Sequence, residues 1–142
     1  MKTITNKILA YAMWIVDLAL ALWFVLISRE TLLKILPLLY KEGTWSGPRW
    51  AGVVDRIYTF GIGLAWLAFM ILVEEYFRAG VKKGNLLIRF ARVTGPVLLA
   101  LFVVDLVMIW LGGIRNSDWL RWLIIAAELG LGTALIVWAR TR

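Results

Sequence analysis

One stretch, Val93 to Gly113 (VTGPVLLALFVVDLVMIWLGG), limits what this chain can become. It carries a single charge, Asp105, just past its middle. About 20 consecutive apolar residues cross the ~30 Å hydrocarbon core of a bilayer. Three more runs of that kind follow the same rule, so the expected spans are 8–28, 57–77, 93–113 and 119–139. The first and last of the others also hold an acid, Asp17 and Glu128. An unpaired carboxylate at that depth costs at least ~2.5 kcal/mol. What the three acids face therefore bears directly on function.

Composition agrees with a membrane chain. The hydrophobic share is 62% and the charged share 18%, against about half and a quarter in soluble domains. The net charge of +7 comes from Lys and Arg in the short segments between apolar runs, where they anchor helix ends and set orientation. They build no single basic face, which argues against nucleic acid as a partner. Cysteine and histidine are both absent. That removes disulfides, thiolate and imidazole metal sites, histidine-ligated haem and every triad with an imidazole base. No cofactor and no metal is expected. With only carboxylates and hydroxyls left for chemistry, the residues argue against an enzyme.

The expected fold is all-α, a four-helix transmembrane bundle forming one domain over residues 1–142, with an interfacial amphipathic segment in each of the first two connections. The first run extends through Trp23-Phe24-Val25-Leu26-Ile27, too long for the apolar region of a signal peptide. In the first connection, RETLLKILPLLYK reads as a helix lying in the interface, broken or bent at Pro37. Gly43, Gly47, Pro48 and Gly52 then read as turns, with Trp45 and Trp50 at headgroup level. In the second connection, AGVKKGNLLIRFAR reads as a basic segment on an anionic membrane face, with Lys82, Lys83, Arg89 and Arg92 as headgroup and orientation residues. Gly95-Pro96 falls in the expected first turn of the third span, and Ser117 or Asp118 can cap the fourth.

Four spans bring both ends of the chain to one side. That side holds nine basic residues and the other seven. The second connection is basic and free of acid, whereas the first is diluted by Glu30, Glu42 and Asp55. Both observations favour termini in the cytoplasm of a prokaryotic cell membrane. Trp23, Trp45, Trp50, Trp110, Trp119 and Trp122 fall toward the opposite face as an aromatic belt.

Two kinds of constellation carry the functional expectations. Counted from the helix ends, Asp17, Asp105 and Glu128 reach one level near the midplane, with Arg121 the nearest cation at roughly 10 Å along its helix. Such acids are protonated, share protons or bind a cation. They form either a proton or cation site or an interhelical polar contact. Only Thr59 and Thr133 are read as nearby span hydroxyls, too few for a dry metal-ion cage. The second constellation is small residues: Gly61, Ala65 and Ala68 on the second span, and Gly130 and Ala134 on the fourth, where helix backbones can approach closely. Glu74 and Arg78 form an i,i+4 pair. WIVDL in the first span echoes FVVDL in the third, and GIGLA in the second echoes GLGTA in the fourth, as a duplicated hairpin would.

No motif of a known four-span family can be laid onto these residues, so function is argued from the site alone. The first expectation is an accessory or assembly subunit of a larger membrane complex. The alternative is a proton-coupled transporter or channel working as a homo-oligomer. The expected partners are the lipid bilayer and other membrane subunits or further copies of the chain.

Overall fold

A computed structural model describes residues 2–40, 48–112 and 119–142, with side chains for 4–38, 50–112 and 119–142. Four helices make up these residues: α1 (Lys2–Tyr40), α2 (Pro48–Lys83), α3 (Leu86–Gly112) and α4 (Trp119–Arg140). Each is long and apolar enough to cross a membrane. No strand occurs among the described residues. Helices are the expected solution, because a segment in hydrocarbon must satisfy its own backbone N–H and C=O groups.

The helices overrun the expected spans, and the two interfacial segments are part of them. α1 continues through RETLLKILPLLY to Tyr40 without a break. At helical spacing beyond Ile27, Thr31 is also buried, and Lys34 Nζ reaches Met108 Sδ on α3 at 3.2 Å. This face keeps a partner beyond the span, which holds the segment as helix. Pro37 falls in the last turn, where only the Leu33 carbonyl loses its donor. Pro48 and Gly52, read as turn residues, lie inside α2, Pro48 as its first residue, where its missing N–H matters least. Gly43, Trp45, Gly47, Ser117 and Asp118 lie outside the described residues.

The second connection shrinks to a two-residue turn. α2 runs to Lys83, and Gly84 adopts φ 68°, a left-handed conformation that favours glycine. The Asn85 N–H then donates to the Gly80 carbonyl at 3.2 Å, the six-to-one bond of a Schellman ending. Because α3 starts at Leu86, Pro96 is an interior residue rather than a first-turn one. It leaves the Arg92 carbonyl without its i+4 donor, a defect membrane helices tolerate when neighbours compensate.

α3 is the central element. It packs against α1, α2 and α4, while α1 also packs on α2. Among the described residues α4 touches α3 alone. One apolar cluster joins Ala10, Val73, Phe77 and Leu86 near the α2–α3 turn. A second joins Ile27, Leu101 and Met108 toward the other end. Trp14 Nε1 donates to the Met70 carbonyl at 3.0 Å. Arg29 forks onto Asp55, Nε to Oδ1 and Nη2 to Oδ2, both at 3.0 Å. These two contacts set the antiparallel register of α1 and α2.

That register corrects the aromatic belt. Trp50, Trp110, Trp119 and Trp122 gather at one end of the bundle, all exposed. Trp23 does not join them. It lies six residues inside Arg29, whereas Trp50 lies five residues beyond Asp55, so the two differ by about 16 Å in depth.

Candidate functional site: two buried acidic positions along α3

The three acids are buried, with Asp17 0%, Asp105 5% and Glu128 8% exposed. They do not form one site. Thr94 Oγ1 donates to Asp17 Oδ1 at 2.7 Å, joining α3 to α1. Asp105 lies eleven residues further along α3, about 16 Å higher. There it faces α4, with Arg121 Nη2 at 3.8 Å from Asp105 Oδ1. Glu128 lies two turns beyond Arg121 on the same face of α4, about 10 Å along the axis.

The expectation of a single level fails because the spans are staggered. α1 and α3 run parallel with Asp17 beside Thr94, so the middle of span 8–28 meets the beginning of span 93–113. Counting from the ends of each apolar run assumes that all runs share one slab position, and these do not. Arg121 is the second correction. Its distance along α4 is as expected, but Asp105 belongs to the neighbouring helix, and an arginine side chain bridges that gap while remaining 44% exposed.

Among the described residues two carboxyl oxygens are buried with no hydrogen-bond partner, Asp17 Oδ2 and Glu128 Oε2. Both belong to acids on faces turned to α3. The chemistry open to them is narrow: a proton, or a donor brought by another molecule. Among the described residues no group of three acids is placed to hold a metal ion. Thr59 and Thr133, the hydroxyls expected nearby, are engaged elsewhere. Thr59 Oγ1 donates to Asp55 Oδ1 at 3.4 Å, and Thr133 Oγ1 donates to the Leu129 and Gly130 carbonyls at 2.7 and 3.1 Å. Sequence reasoning does not single out Thr94; the one available signal is that it is a hydroxyl near the start of the third apolar run.

No family model matches this chain, and neither does any curated protein or solved structure. The site must therefore be read from its own geometry.

The small-residue stripes separate into inner and outer sets. Gly61 and Gly130 have nothing within 4 Å of an added Cβ, and Ala65, Ala68 and Ala134 are exposed. Gly61, Ala68, Gly130 and Ala134 lie on outward faces, whereas Ala65 lines a cleft shared with α1 and α3. The close helix crossing is at Gly95 and Gly132 instead. A Cβ on Gly95 would meet Ile136 Cγ1 at 2.7 Å and the Gly132 carbonyl oxygen at 3.3 Å.

The basic residues divide as well. Lys82, Lys83 and Arg92 are exposed, but Arg89 turns inward. Its Nη1 donates to the Tyr76 carbonyl at 2.7 Å, its Nε to Asn85 Oδ1 at 3.0 Å, and its guanidinium lies 4.4 Å from the Tyr76 ring centroid. Gly80 leaves room for it, since a Cβ there would come within 2.7 Å of Arg89 Cδ. Arg89 clasps the α2–α3 turn rather than reaching for headgroups. Arg89→Gln is expected to lower stability by about 1–2 kcal/mol, through the charged hydrogen bond and the ring contact. Thermal unfolding in detergent checks this, with Arg92→Gln as the exposed control; an equal loss in both would remove the distinction.

Proposed function

We propose that the chain is a non-catalytic subunit of a larger membrane assembly, a prokaryotic cell-membrane protein with both ends in the cytoplasm, whose helices are completed laterally by those of other chains. The observation that carries this reading is the sparse packing of α4, whose backbone comes close to α3 and to no other helix among the described residues. The outward stripes support it. Gly130 and Ala134 lie on the open side of α4, and Gly61 and Ala68 on the open side of α2, where small residues favour close helix approach.

The test has two parts. The protein is purified in mild detergent and its mass measured with bound subunits retained. Ala68→Leu and Ala134→Leu are then compared with the parent chain. Loss of a co-migrating membrane subunit, with the chain's own unfolding unchanged, supports the reading. A monomer mass in the parent chain, under conditions that preserve other membrane complexes, would sink it. Orientation is checked by a reporter active only in the cytoplasm, fused after Arg142, which is expected to give signal.

A second reading is favoured by one specific observation. Asp17, Glu128 and Asp105 are staggered along α3, and two of them keep a buried oxygen without a partner. That arrangement suits a proton-coupled transporter or channel acting as a homo-oligomer. Asp105→Asn and Glu128→Gln keep shape and remove titration. In proteoliposomes holding a pH-sensitive dye, this reading expects proton flux that both variants abolish.

A further inference from the structure

At the basic end of the bundle a cleft of about 590 Å³ opens between α1 and α2, within the ~300–1,000 Å³ usual for ligand sites. We propose that this cleft binds the phosphodiester headgroup of an anionic glycerophospholipid. Lys7 comes from α1, and Arg78 and Lys82, one turn apart, come from α2. Ala10, Ala79 and Val81 are small enough to leave the space open.

The charges select the ligand's sign. Arg78 is neutralised by Glu74 at 3.7 Å. Glu75 is the one acid among the described lining residues, and it offsets either Lys7 or Lys82 but not both. Neither lysine has a carboxylate within ion-pair distance among the described residues. The cleft is left with about one positive charge, matching a phosphodiester's single negative charge. Basic pockets between membrane helices at headgroup level hold acidic lipids by this charge match.

The surroundings select a lipid over a free anion. A crevice of only about 10 Å³ adjoins the cleft between the same two helices, lined by Ala10, Tyr11, Trp14, Phe77 and the Glu74–Arg78 pair. Tyr11 and Trp14 meet edge to face at 6.3 Å. Beside them Ile8 and Ile15 are exposed on α1. A charged head at the rim thus has the exposed apolar surface of α1, Ile8, Tyr11 and Ile15, beside it for its chains. This proposal does not depend on the subunit reading.

The test uses the full chain in detergent, titrated with phosphatidylglycerol or phosphatidylcholine of matched acyl chains and read by native mass spectrometry. One phosphatidylglycerol per chain is expected to be held at least about tenfold more tightly than phosphatidylcholine. The Lys7→Gln/Lys82→Gln double variant should weaken it by roughly fivefold per cation. Lys83→Gln, exposed and off the cleft, should stay within about twofold, and Lys7→Arg/Lys82→Arg should restore binding. Equal retention of the two lipids, or an equal effect of Lys83→Gln, overturns the proposal. Displacement of the lipid by millimolar inorganic phosphate would mark a free-anion site and overturn the lipid assignment.

Discussion

Gly132→Leu is expected to separate α4 from α3, while Gly130→Leu, two residues away, leaves the pair intact. A Cβ at Gly132 would stand 3.1 Å from Leu99 Cγ and Cδ2 and 3.2 Å from the Gly95 carbonyl oxygen. The leucine side chain can shift, but a backbone carbonyl cannot move without its helix. The reciprocal contact is as close, so the two backbones touch at this crossing, as small residues permit between membrane helices. A larger side chain must push the helices apart. Overpacking of that kind costs about 1–3 kcal/mol, and α4 has no second partner among the described residues to share the loss. At Gly130 nothing lies within 4 Å, so the same change should stay within about 0.5 kcal/mol. Unfolding by a denaturing detergent measures the stability, and amide exchange along residues 119–140 reports whether α4 has come loose. A silent Gly132→Leu, or equal costs at both positions, would refute the crossing.

The four helices were legible because lipid leaves a chain few options. Twenty apolar residues in hydrocarbon become helix whatever their neighbours are, so 8–28, 57–77 and 119–139 lie inside α1, α2 and α4. Helix ends were less legible, since they depend on what the flanking segment touches. RETLLKILPLLY has an interfacial composition, yet α3 gives it a partner. Arg89 has the charge of a headgroup ligand, yet Gly80 and Tyr76 make a berth for it that only the folded turn provides.

Depth and facing were the least legible properties. Each acid was placed by its own run, and relative height is a property of pairs. One hydrogen bond, Thr94 to Asp17, shows the stagger that four separate counts concealed. The same limit explains the glycines. Gly95, Gly130 and Gly132 look alike in sequence, but Gly95 and Gly132 lie at a crossing and Gly130 does not. Periodicity tells which residues share a face, not what the face meets.

Thr94→Val is expected to cost more than replacing both residues of its pair. Asp17 is fully buried, and the Thr94 hydroxyl is the one hydrogen-bond donor its carboxyl has among the described residues. Removing that donor strands a buried carboxyl, a loss of about 1–3 kcal/mol or more. The double variant Asp17→Val/Thr94→Val removes the acid with its partner. Exchanging both members of a buried polar pair for apolar groups of similar shape is often nearly neutral, so it should recover most of the loss. A double-mutant cycle in detergent, completed by Asp17→Val, gives the coupling directly. A Thr94→Val chain as stable as the parent would show that the bond adds nothing to the fold. A double variant worse than either single change would show that α1 and α3 need the acid to meet. If instead the double variant folds with its oligomeric state unchanged, Asp17 is dispensable for structure. The cost of burying it would then have to be met by function, and the proton-coupled reading would gain at the expense of the subunit one.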